Sequence, residues 1–167
     1  MSNLGIFHTV VGVVALFLAA LSLVQRGKIG FSNRIDLVYI VLTLITCATS
    51  FMIFKTGQAG PGHIIAGLVV VCLGIGYFTR NSNNFWGKFI SVVSMSATVF
   101  LSLIPTINET LTRLPVSGPL ADSPEHPVVQ NSVKVLLVFF ALGVYLQFRS
   151  LKKKEAVAEK TLYENQV

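Results

Sequence analysis

The sequence predicts an all-α fold, an integral membrane bundle of five transmembrane helices. Three observations carry that prediction. Of 167 residues, 53% are hydrophobic and 12% are charged, about half the charged share of a soluble domain. Several apolar stretches approach the roughly 20 residues that a helix needs to cross a bilayer. The basic residues collect at the ends of those stretches rather than inside them. The alternating pattern of a membrane β-barrel is absent from the sequence.

The first span covers residues 4–25 and ends at Arg26-Gly27-Lys28. No lysine or arginine precedes it, so it reads as a retained helix rather than a signal peptide. The second covers residues 35–54 and ends at Lys55. Residues 56–61 form a turn by composition, with Pro61 suited to the first turn of the next helix. The third span, 62–79, is followed by the polar turn Arg80 to Asn84. The fourth, 85–104, is closed by Pro105. Residues 108–131 hold Pro115, Pro119, Pro124 and Pro127 and read as an outer loop. The fifth span, 133–148, is short, and residues 151–167 form a charged cytoplasmic tail.

Charge sets the expected orientation, with the N-terminus outside and the C-terminus inside. Ten basic residues then face the inner side, among them Arg26, Arg34, Arg80, Lys88 and Lys152 to Lys154, against Lys55, Arg113 and Lys134 outside. Tyr39, Tyr77, Trp86 and Tyr145 fall at the inner interface, where amphipathic rings settle. The net charge of +6 is therefore a topology signal, not a nucleic-acid footprint. The basic run at Lys152 to Lys154 is placed to meet anionic lipid. Cys47 and Cys72 stand alone inside apolar runs and read as packing residues.

Histidines 8 and 63 are 55 residues apart, and each is followed four residues later by a glycine, Gly12 and Gly67. The same offset relates Ala19 to Gly74 and Thr43 to Thr98. The first four spans thus read as a 2+2 parallel repeat, with the fifth added. Small residues line one stripe at 8, 12, 15, 19 and 22, and another at 63, 67, 70 and 74. Hydroxyls line a face of the second span (Thr43, Thr46, Ser50) and of the fourth (Ser91, Ser94, Thr98, Ser102). They serve interhelical packing or line a path for a small neutral solute.

Two imidazoles at one depth on diagonal helices can ligate a haem iron, with Gly12 and Gly67 leaving room for the macrocycle. In this the chain resembles bis-histidine membrane b-type cytochromes. That resemblance implies haem b between His8 and His63 on the outer side, for electron transfer to a partner. A divalent metal is the alternative, held by His8, His63, His126 and Glu109. The His-x-x-x-Gly pairs and the hydropathy layout over the first four spans also resemble uncharacterised bacterial multi-pass membrane proteins. That likeness implies a bacterial inner membrane location and assigns no activity. A further alternative is a non-enzymatic assembly or accessory subunit, docking a membrane-protein partner or a second copy. No motif of a metalloprotease, an α/β-hydrolase or a phosphate loop occurs.

Overall fold

The computed structural model describes residues 3–53 and 60–164. Among these residues there are five α-helices: α1 (Asn3–Arg26), α2 (Arg34–Met52), α3 (Pro61–Thr79), α4 (Phe85–Arg113) and α5 (Pro127–Glu164). All five are long and apolar enough to cross a membrane, which is compatible with a small multi-pass membrane protein. Phe54, Lys55 and the turn through Ala59 lie outside the described residues.

Local chemistry sets the helix ends. The Asn33 side chain accepts the Ile35 N–H at 2.8 Å, and the Asn84 side chain accepts the Gly87 N–H at 2.6 Å. These bonds satisfy donors that a helix start leaves open. Helix α1 stops at Gly27, whose φ of 68° is the left-handed cap conformation that glycine adopts without strain. A side chain at Gly87 would run into Ser82 and Asn84, so the turn into α4 requires a glycine.

Each helix packs on the next in chain order, and α4 also touches α1. Contacts at both ends show that the helices alternate in direction. Ser22 meets Asp36 at one end of the α1–α2 pair, and His8 meets Thr49 at the other. Phe31 packs on Tyr77, and Phe51 faces His63. Ser91 bonds the Gly76 carbonyl, and Phe85 packs on Phe148. One end of the bundle therefore gathers Arg26, Arg34, Arg80, Lys88 and Arg149, and the other carries His8, His63 and Glu109.

Four expectations need correction. Helix α4 does not stop before Pro105 but runs on to Arg113. A proline removes one backbone bond, a loss that membrane helices tolerate when nearby hydroxyls and neighbours compensate. Here Ser102 and Thr106 bond the carbonyls of Thr98 and Ser102, not the Leu101 carbonyl that the proline leaves without its donor, and Arg113 pairs with Glu109 beyond the proline. Helix α5 is also longer than the span 133–148. It starts at Pro127, a residue suited to a first turn, and takes in most of the charged tail. The outer loop thus shrinks to the residues between α4 and α5. Tyr39 is no interfacial anchor, being 1% exposed in the core. Finally, α3 buries Ala66, Val69, Leu73 and Gly76, one position away from the small-residue stripe through Val70 and Gly74. In α1 the expected stripe is the buried one, at Ala15, Ala19 and Ser22.

Candidate functional site

At the histidine end, His8 is half-buried and its Nδ1 lies 2.9 Å from Thr49 Oγ1. The Thr49 hydroxyl donates to the carbonyls of Ile45 and Thr46. In the tautomer with its proton on Nδ1, His8 donates to the Thr49 oxygen and Nε2 carries the lone pair. His63 is arranged the other way. Its Nδ1 accepts the Gly60 N–H at 3.1 Å, so the neutral ring carries its proton on Nε2. His63 thereby satisfies a donor at the start of α3. His126 does similar work before α5, where its Nδ1 accepts the Val128 N–H at 3.2 Å.

The glycines differ as well. A Cβ at Gly12 would touch Thr46 at 3.5 Å, whereas none of the described atoms lies within 4 Å of one at Gly67. Gly12 thus serves the contact between α1 and α2, and Gly67 faces open space. Under the 55-residue offset, Thr46 and Thr49 correspond to Leu101 and Ile104, so the second helix pair has no hydroxyl to orient a histidine. Helices α1 and α3 stand on a diagonal and share no backbone contact. The two histidines are held differently, His8 by a hydroxyl of the neighbouring helix and His63 by the backbone at the start of its own helix. Among the described residues no three of histidine, cysteine, aspartate or glutamate gather as a metal-binding cluster. Glu109 is engaged by Arg113.

The opposite end holds a buried polar cluster that sequence reasoning passed over. Asp36, 2% exposed, accepts Ser22 Oγ and Arg26 Nη2 on Oδ1, each at 2.5 Å. Its Oδ2 accepts the Gly30 N–H at 2.9 Å. Arg26 also donates to Ser22 at 2.7 Å. Next to this cluster, the Gln147 amide on α5 donates to the Gly27 carbonyl at 3.0 Å and to Ser96 Oγ at 2.8 Å. Signals for both residues were present. Asp36 is the only acidic residue in the first 108 positions, and Gln147 interrupts an apolar run between Leu146 and Phe148.

Between the two ends, one pair of hydroxyls joins α2 to α4 in the core. Tyr39 Oη lies 2.6 Å from Thr98 Oγ1, with Thr98 fully buried. Thr98 donates to the Met95 carbonyl, and Ser91 to the Gly76 carbonyl. Thr98 and Ser91 are spent on helix contacts, the packing role.

Comparison with family models, with curated proteins and with solved structures finds no match for the chain.

Proposed function

We propose that the protein is a non-enzymatic accessory or assembly subunit of a membrane complex, with α5 as its docking element. The observation that carries this reading is the isolation of α5. Among the described helices it packs on α4 alone. Phe139, Leu146 and Val138 on its apolar stretch are 67%, 62% and 59% exposed. Its 38 residues span about 57 Å at 1.5 Å per residue, well beyond the roughly 30 Å of hydrocarbon. A helix that packs on one neighbouring helix only, is long enough to span the bilayer and projects beyond it, suits contact with a membrane helix of a partner. The charge distribution supports placing the basic end, and so the projecting part of α5, on the cytoplasmic side of a bacterial inner membrane.

Purification from native membranes in mild detergent tests this. A defined partner that crosslinks to a cysteine placed at Leu142 or Leu146, in a Cys47→Ala/Cys72→Ala background, is the expected result. A clean monomer, with those positions reacting only with lipid-soluble probes, would overturn it.

A second reading is favoured by one observation, the bond that holds His8 Nδ1 to Thr49 Oγ1 across α1 and α2. A ligating histidine is commonly oriented by such a second bond. In that reading His8 ligates haem b or a divalent metal, and His63 joins it after releasing Gly60. A reduced-minus-oxidised spectrum with metal analysis separates the two readings. A b-type haem band or stoichiometric metal that is lost in His8→Ala supports the second. A blank spectrum from protein expressed with both supplied removes it.

A further inference from the structure

Helices α2 and α3 part at the basic end to leave an apolar groove of about 260 Å³ on the outer face of the bundle. Phe31, Ile40, Leu44, Val70, Gly74 and Tyr77 line it. The small-residue stripe of α3 that stays out of the core is what floors this groove. A Cβ at Gly74 would meet none of the described atoms within 4 Å. Because the groove faces outward from helices of membrane-spanning length, its natural surroundings are hydrocarbon.

At the mouth of the groove sits Arg80. Its guanidinium carbon lies 3.5 Å from the centre of the Tyr77 ring and 5.9 Å from that of Phe31. A single bond from Nη1 to the Tyr77 carbonyl, 2.8 Å long, helps hold it there. Among the described residues, no carboxylate pairs with Arg80. Asp36 is taken up by Arg26, Ser22 and Gly30, and Glu155 by Lys88. A guanidinium stacked on aromatic faces keeps its other N–H groups for an anion and matches phosphate geometry.

We propose that this groove binds an anionic phospholipid, one acyl chain lying along Val70 and Gly74 and the phosphate meeting Arg80. Charge complementarity selects the occupant. The groove wall is apolar, and the charge at its mouth is positive and without a counter-ion among the described residues. The proposal is independent of the docking role of α5, which stands on the other side of α4.

The test is native mass spectrometry of the full chain, presented with phosphatidylglycerol and phosphatidylcholine of matched acyl chains. The wild type should retain phosphatidylglycerol in preference by about fivefold, the worth of one basic residue at an anionic surface. Arg80→Gln should bring that ratio near unity, while Arg80→Lys, which keeps the charge, should preserve part of it. Gly74→Phe, which fills open space, should reduce binding of both lipids, with unchanged helix content by circular dichroism. A Lys152→Gln/Lys153→Gln/Lys154→Gln variant should keep the wild-type preference. Equal binding of both lipids by the wild type overturns the site. So does a preference that survives Arg80→Gln, or one that is lost in the triple variant with Arg80 intact.

Discussion

Asp36 and Arg26 form an ion pair across the turn from α1 to α2, with Oδ1 and Nη2 2.5 Å apart and both bonded to Ser22 Oγ. A carboxylate at the edge of a membrane span is expensive unless it is paired. Here the pairing also closes the turn, because Oδ2 takes the Gly30 N–H. Asp36→Ala leaves the guanidinium facing Ser22 alone. Loss of one partner of a buried pair typically costs 3–5 kcal/mol, and the 28% exposure of the Arg26 side chain puts the loss at the lower end, about 3 kcal/mol. The double variant Arg26→Gln/Asp36→Asn should lose clearly less than the sum of its singles, because neither partner is left charged. Melting in detergent micelles gives the comparison, and strict additivity would show that the pair is not coupled.

Tyr39 and Thr98 link α2 to α4 across the bundle diagonal. The Thr98 proton is directed to the Met95 carbonyl, so Tyr39 donates. Tyr39→Phe removes a donor and leaves Thr98 still bonded, at a cost of about 1 kcal/mol. Thr98→Val should cost a similar amount, because the Tyr39 hydroxyl can turn to Thr43, one helical turn along α2. Thr43→Val/Thr98→Val removes both acceptors and strands a buried donor, so the loss should rise to about 3 kcal/mol. A double variant no worse than Thr98→Val alone would mean that Thr43 is not the fallback acceptor.

The helical class and the five spans were legible because hydropathy and charge act over whole segments. Helix ends were less so, because they depend on single side chains. Pro105 looked like a terminator, yet α4 continues through it to the Glu109–Arg113 pair. The histidine pair was prominent in sequence, but both rings engage Nδ1, and what separates them is the partner that Nδ1 meets. That is Thr49 for His8 and Gly60 for His63, and spacing does not encode it. The 55-residue offset matched small residues between α1 and α3 but not the face they present. Ala19 is buried, while its counterpart Gly74 opens onto the groove. Asp36 needed no structure to be noticed, since a lone acid among apolar spans calls for a partner.

Gly74 and Gly76, two residues apart on α3, should respond to alanine with opposite signs. At Gly76 a Cβ would come within 3.0 Å of the sulfur of Met95, itself fully buried. Overpacking of that kind costs 1–3 kcal/mol, which outweighs the helix-propensity gain of roughly 0.5–1 kcal/mol. Gly74→Ala meets open space and keeps the gain. Gly76→Ala should therefore lower the melting temperature in micelles while Gly74→Ala leaves it level or raised. Trimming the neighbour, as in Gly76→Ala/Met95→Val, should recover part of the loss. Equal effects at both glycines would place α3 in a different rotation about its axis.

Gln147 is the polar tie between α5 and the rest of the bundle. The side chain is 8% exposed, and its amide donates to Ser96 and to the Gly27 carbonyl at the end of α1. The apolar part of the same interface is aromatic. Phe148 meets Phe85 and Phe89 at 5.3 and 5.4 Å, and Phe140 stacks on Phe100 at 4.8 Å. Those rings should keep α5 on α4 when the amide is removed, so Gln147→Leu should loosen the helix rather than release it, at about 1–2 kcal/mol. Gln147→Glu should be worse than leucine, because it sets a carboxylate against the Gly27 carbonyl in place of a donor. Hydrogen exchange resolves the order. Amides of the Gly27–Asn33 turn should exchange faster in the leucine variant and fastest in the glutamate variant. If glutamate protects that turn as well as glutamine does, the Gly27 carbonyl is not what Gln147 holds, and α5 is fixed by its contacts with α4.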